Sequence, residues 1–184
     1  MTTPIQESGK TRRATGADGG DAHGPGLDRF DLAILRELQR DARLSNAELA
    51  SRIGLSAAPT WRRVRWLEEQ GYITGYRAEI DRRRIGLGVL AFVRVDTERA
   101  SGAAMRELEE AIRALPEVIA CHYVSGSGTF ELQVMATDLD AYAHFSVNTL
   151  LNLPNVKDIH TRFSLGEVKA GAALPLLHLS PPRR

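Results

Sequence analysis

The sequence predicts an α+β chain: an N-terminal winged-type helix-turn-helix domain, then a ferredoxin-like βαββαβ domain. Three observations carry that expectation. The stretch SNAELASRIGLSAAPTWRRVRWL, from Ser45 to Leu67, holds two helix starts separated by a helix stop at Gly54. From Leu87 onward the apolar pattern alternates between strand and helix periods in the order βαββαβ. Charge divides with the two parts: residues 28–85 hold 12 Lys and Arg against 9 Asp and Glu, whereas residues 86–184 hold 9 against 11. A mild basic excess at the N-terminal part suits a polyanionic partner, with affinity drawn from several subunits at once.

Residues 1–26 are rich in Gly, Thr, Ser and Asp and almost lack large apolar side chains, which predicts a disordered tail. The first domain is placed at 27–71. Its first helix runs from Leu27 to about Arg40, with Asp28 as N-cap, Asp31 favouring the positive end of the dipole, and Leu27 stapled onto Leu32. Ile34, Leu35 and Leu38 face its core. The second helix opens on a capping box of Ser45 and Glu48 with a Leu44–Leu49 staple, and buries Leu49, Ala50 and Ile53. Ser56 then caps a third helix two residues after Gly54.

On that third helix Thr60, Val64 and Leu67 form a packing stripe, while Ala57, Ala58, Trp61, Arg62 and Arg65 fall on another side. Small residues in the first turn allow close approach to base edges, and the arginines beyond reach guanine edges or phosphates. The candidate DNA-binding residues are Ser56, Ala57, Ala58, Thr60, Trp61, Arg62, Arg63 and Arg65. Ser56 and Thr60 are expected near the backbone or packed, and Arg63 partly turned away. The arginines alone are better read as a solvated basic helix in an ordinary bundle. Capping box, Gly turn, second cap and arginine face together favour a recognition helix in the major groove.

Tyr72 to Ile80 alternates as a strand, and Asp81-Arg82-Arg83-Arg84 follows as a charged hinge, so residues 72–86 read as linker strand and hinge. The second domain is placed at 87–169. Strands are expected at 87–95, 118–125, 129–136 and 156–168. Helices are expected at 103–115, with Met105, Leu108, Ile112 and Leu115 inward, and at 139–153, with Tyr142, Phe145, Thr149, Leu150 and Leu153 inward. Both helices then lie on one face of an antiparallel sheet, leaving the other face for a partner subunit's sheet. Residues 170–184 form a C-terminal tail whose Leu174, Leu176 and Leu177 are available to pack on a neighbour.

The run from Leu27 to Asp81 resembles the N-terminal domain of the Lrp/AsnC (feast/famine) transcription regulators. The matching pairs and triplets are Leu27-Asp28, Ile34-Leu35, Leu38-Gln39, Glu48-Leu49-Ala50, Gly54-Leu55-Ser56, Arg63-Val64 and Leu67-Glu68, and the resemblance continues to about Pro175. It implies a sequence-specific regulator that binds double-stranded DNA, with a linker strand helping to pair subunits. Homodimers would assemble further into rings. It also implies a small-molecule effector, usually an amino acid, held between dimers beside the turn joining the second and third strands of the second domain. The residues so implicated here are Ser125, Gly126, Ser127, Gly128 and Thr129, with His122 and Glu131 on the flanking strands.

The family commonly carries Gly-Asp-Tyr/Phe-Asp at this turn, whereas Ser127 and Thr129 occupy the two acidic positions here. A hydroxyl accepts a hydrogen bond but cannot neutralise an ammonium. Either the effector is not an ordinary free amino acid, or another group supplies the charge, Glu131 first and His122 second. A DNA-wrapping protein without effector is the alternative that this departure strengthens.

No nucleotide-binding Gly loop, metal-spaced Cys/His cluster or nucleophile elbow is present, so no catalytic residue, cofactor or metal is expected. Sirohaem decarboxylases resemble the same two-domain frame, with His122 and sheet arginines as the groups to suspect. The arginine-bearing recognition helix argues against that reading. The single Cys121 excludes an internal disulfide framework and fits a reducing cytoplasm, and no apolar run or signal-peptide pattern suggests a membrane.

Overall fold

The computed structural model describes residues 26–98, 101–126 and 129–179. The tail expected over residues 1–26 lies outside them, apart from Gly26. The chain divides into two compact units, one of Met1–Tyr76 with Ala172–Arg184 and the other of Arg77–Gly171. The first unit thus takes in the linker as far as Tyr76 and the C-terminal segment.

In the first unit α1 spans Arg29–Arg40, α2 Asn46–Ile53 and α3 Ala57–Glu69. Asp28 Oδ1 accepts from the Phe30 and Asp31 N–H groups at 2.7 and 2.9 Å, and Asp31 Oδ2 accepts from the Asp28 N–H at 2.9 Å. That is a full capping box, so Asp31 does more than favour the dipole. Ser45 and Glu48 form a second box on α2, where hydrogen bonds from the Ser45 side chain and N–H hold the Glu48 carboxyl below the usual range. Gly54 ends α2 at φ 72°, a left-handed residue that costs little without a Cβ.

Ser56 begins α3 by its backbone, but its hydroxyl makes no cap bond. The third helical residue is Pro59, which has no N–H to donate to a cap. Asn46 Nδ2 donates instead to the Ala57 carbonyl at 2.7 Å and ties the start of α3 to the start of α2. Ile34, Leu49 and Leu67 are buried at the centre, with Leu27, Leu35, Leu38, Leu44, Ile53, Val64, Trp66 and Ile73 around them.

Within the single chain the segment 72–80, expected as a linker strand, has no strand partner. Its side chains are claimed by α3: the Tyr72 ring lies 5.6 Å from Trp66, Ile73 packs on the core, and the Tyr76 hydroxyl donates to Glu68 Oε1 at 2.9 Å. Burial, then the Glu68 carboxylate, pushes the Tyr76 phenol up to about 12. A strand also needs a neighbouring strand to satisfy its N–H and C=O groups, and the described residues of this chain supply none beside 74–80. The hinge after it is a turn in which Asp81 accepts from the Arg83 and Arg84 N–H groups at 3.0 and 3.3 Å. Arg82 folds back to the Leu87 and Gly88 carbonyls.

The second unit has the expected order: β1 Val89–Thr97, α4 Gly102–Arg113, β2 Val118–Tyr123, β3 Phe130–Ala136, α5 Leu139–Asn148 and β4 Val156–Phe163. The strands pair antiparallel in the order β2-β3-β1-β4. Ala91, Val93, Val95, Phe130, Leu132 and Val134 line one face under Leu108, Ile112, Tyr142, Phe145 and Leu150, so both helices do cover the same side. α5 is shorter than expected, and a 3-10 turn at Leu150–Asn152 carries Leu150 into the core. β4 stops at Phe163, opposite Ala91, because β1 extends only two residues further. Leu165 and Val168, expected in that strand, are exposed. Among the described residues, no helix is long and apolar enough to cross a membrane.

Candidate nucleic-acid interface and ligand turn

The helical period sorts the predicted DNA-binding residues into two groups. Ala57, Ala58, Trp61, Arg62 and Arg65 are all exposed on one side of α3, with Ser56 at its start, and Trp61 keeps 56% of its surface. Arg65 stacks over the Trp61 ring at 5.6 Å and meets Glu69 at 3.6 Å. The indole and Glu69 thereby hold a guanidinium out from the helix, where phosphate or a guanine edge can take it. The two alanines leave the first turn low enough for backbone to approach a groove.

Thr60 and Arg63 belong to the opposite side. Thr60 is fully buried, and its hydroxyl donates to the Ser56 carbonyl at 2.9 Å. Arg63 is only 6% exposed, which removes it from the DNA-reading set. Its Nη1 donates to Asp28 Oδ2 at 2.7 Å and to Asp31 Oδ1 at 2.8 Å, with the Phe30 ring 5.4 Å away. Asp31 is fully buried, so this ion pair fastens α3 to the capped start of α1. The signal was available in the spacing: 60, 63, 64 and 67 are one i, i+3, i+4, i+7 stripe.

Burial raises the Asp28 carboxyl, but hydrogen bonds from the Asp31 N–H, the Arg63 guanidinium and the Phe30 N–H outweigh it and leave the group below its ordinary value. The stability that follows is present above the usual Asp range, about pH 3.9, and is lost as pH falls through the depressed folded value. Asp28→Asn keeps a competent cap without the charge. The expected result is a flatter acid limb for that variant than for the parent, read as melting temperature against pH from 7 to 2.

The turn between β2 and β3 has less of its expected site. Ser127 and Gly128 lie outside the described residues. Ser125 is exposed, and Gly126 adopts φ 104°. The Thr129 hydroxyl is hydrogen-bonded to the Thr97 hydroxyl at 2.9 Å, and its N–H donates to the Val95 carbonyl at 2.8 Å. Glu131 bonds Arg162 on the face of the sheet away from the helices, so its carboxylate is already engaged. His122, exposed, stands opposite Glu131 in the ladder, and Glu131 stands opposite Arg94.

A group of charges not anticipated from the sequence lies nearby. A cavity of about 410 Å³ opens between α4 and β2, lined by Glu109 and Arg113 and walled by Ile112, Val118, Tyr123 and Phe130. Glu109, Ile112 and Arg113 share one side of α4 by their spacing, a pattern usually read as a solvated i, i+4 pair. No three His, Cys, Asp or Glu side chains are grouped to hold a metal among the described residues.

Comparison with known proteins bears on both units. Residues 27–74 match the winged helix-turn-helix DNA-binding model, and residues 90–174 match the Lrp/AsnC ligand binding domain model. The Bkd operon transcriptional regulator of Pseudomonas aeruginosa is 43% identical over 150 residues, covering 82% of this chain and 98% of that protein. The leucine-responsive regulatory protein of Escherichia coli K12 is 40% identical over 146 residues, covering 79% and 89%. A transcriptional regulator of Neisseria meningitidis, solved as a complex with L-Met, superposes with a TM-score of 0.80 at 38% identity, over 84% of this chain and 99% of that one. These relatives are regulators, and the enzyme alternative falls away with them. With an exposed arginine face on the third helix of one unit and a ligand-binding domain in the other, this chain is a member of the Lrp/AsnC family, a DNA-binding transcriptional regulator.

Proposed function

We propose that the exposed side of α3 is the DNA-reading surface and that paired copies, in a homodimer or higher assembly, present two such helices to successive major grooves. Ser56, Ala57, Ala58, Trp61, Arg62 and Arg65 make the contacts. The observation that carries this reading is the partition of α3, with Arg62 and Arg65 outward beside Trp61 and Thr60 and Arg63 inward. Half-site centres then lie about 34–36 Å apart, or a multiple of that. A footprint at that spacing tests it, and a single isolated half-site footprint at saturating protein contradicts it. The partners of this regulator are therefore double-stranded DNA and other copies of itself, and it works where DNA is, in the cytoplasm.

The second unit binds a small effector at the β2–β3 turn, an amino acid or a related metabolite. Support comes from the relative solved with L-Met and from Gly126, whose φ of 104° a side chain would strain and which leaves the backbone open to close approach. Ser127 and Thr129 bring no negative charge, and Glu131 shares its carboxylate with Arg162, so a second acid near the turn would strengthen an ammonium site. Glu109, with Arg113 for a carboxylate and the apolar wall between them, is the nearest suitable set on α4. Gly126→Val strains a left-handed position, at a cost of about 1–3 kcal/mol. The expected result is loss of any shift in melting temperature or assembly caused by an equimolar amino-acid mixture, with DNA binding retained. An unchanged response in that variant removes the turn from the site. If the parent protein gives no response either, the DNA-wrapping alternative gains.

A further inference from the structure

Within one chain the backbone of the C-terminal segment meets the reader, while the Leu174 and Leu177 side chains stay exposed. Leu174 donates its N–H to Gln39 Oε1 at 2.5 Å, and its carbonyl accepts from Gln39 Nε2 at 3.4 Å. One side-chain amide therefore takes both polar groups of one backbone residue, as a neighbouring strand would. Pro175 follows directly, and a residue before proline is restricted to extended backbone, so Leu174 is already shaped for that pairing. Leu176 is half-buried beyond it, and a 3-10 turn at Leu177–Leu179 closes on the Leu176 carbonyl. The ligand-binding match ends at residue 174, where this contact begins.

We propose that the exposed end of α1 at Gln39 is a docking surface for the chain's own C-terminal segment, and that this latch holds the reader for paired binding to DNA. It rests on the reading of α3 as the DNA-binding helix. The chain joins its two units at 76–77 and again at 171–172, so a docked segment is a second tether on the reader. A tether that narrows the reader's freedom raises the effective concentration of the second reader once the first is bound. Two exposed hydrogen bonds are weak enough to open, and a ligand that favours the docked or the free segment would shift that population. Gln39 is a positioning residue in this account, since it touches no DNA.

The test uses the full chain with Gln39→Ala, and a second variant ending at Gly171. Hydrogen exchange is read across residues 172–179 by mass spectrometry, and DNA affinity is read on one half-site and on two. The expected result for Gln39→Ala is faster exchange over 172–179, an unchanged melting temperature of the reader, unchanged single-site binding, and roughly threefold to tenfold weaker two-site binding. The shortened chain should reproduce the binding change. Unchanged exchange over 172–179 overturns the latch. Faster exchange with unchanged two-site binding overturns its role in pairing. Protection that vanishes on dilution to monomer assigns the segment to another copy's α1 and overturns the intrachain form. Absence of DNA binding by the parent protein would sink the proposed reader while leaving the exchange result to judge the docking.

Discussion

Arg63→Ala is expected to destabilise the reader by about 3–5 kcal/mol, the largest single effect predicted for this chain. Asp31 is fully buried and meets the guanidinium at 2.8 Å, so truncation removes a charge-assisted hydrogen bond from a carboxylate in the interior. The loss extends to the α1 capping box, because Asp28 and Asp31 hold each other's backbone N–H groups and share Arg63. Arg63→Met with Asp31→Asn removes both charges together and should cost clearly less than the two single changes added. Chemical denaturation of the four proteins measures that coupling. Additive losses would mean that Arg63 contributes packing over Phe30 rather than an ion pair. DNA binding in Arg63→Ala should fall only in proportion to the unfolded fraction.

Arg65→Ala should do the reverse, weakening DNA binding by about 1–3 kcal/mol if the guanidinium reads a base, with the melting temperature unchanged. The stability claim follows from exposure: its partner Glu69 is an i+4 surface pair at 3.6 Å, and such pairs contribute little. If Arg65 meets phosphate instead, affinity falls evenly across sequences and the salt slope drops by about one. Trp61→Ala should share part of the defect, since the indole lies 5.6 Å from the guanidinium and supports it. Competition assays with single-base-pair variants of the preferred site distinguish the two modes. Wild-type affinity for Arg65→Ala on every sequence would remove this residue from the reader.

Local chemistry made much of this legible. The caps at Asp28 and Ser45, the stop at Gly54 and the alternation of Phe130, Leu132 and Val134 each act within a few residues, so their signals are written in adjacent positions. The βαββαβ order followed from those periods. Much of what escaped depended on partners outside the local pattern. Spacing turned Arg63 partly inward, but not onto its acids, which lie 32 and 35 residues earlier. Ser56 looked like a side-chain cap because the missing donor is a property of Pro59. The segment over 72–80 has a strand's alternation, but the described residues offer it no neighbouring strand, and Tyr72, Ile73 and Tyr76 found uses on α3. That Glu131 shares its carboxylate with Arg162 is likewise a property of the assembled sheet. The Gln39 contact joins positions 135 residues apart, beyond any local pattern.

On the proposed division of α3, one side builds the domain and the other reads DNA. The most direct test is a salt series of DNA binding by the parent protein and by Arg62→Ala/Arg65→Ala, with both melting temperatures recorded alongside. The expected result is equal melting temperatures, a large loss of affinity, and a slope of log affinity against log salt shallower by about one to two in the double variant. Equal affinity and equal slope in two equally folded proteins would contradict it, and would place the DNA-binding surface on some other part of the chain.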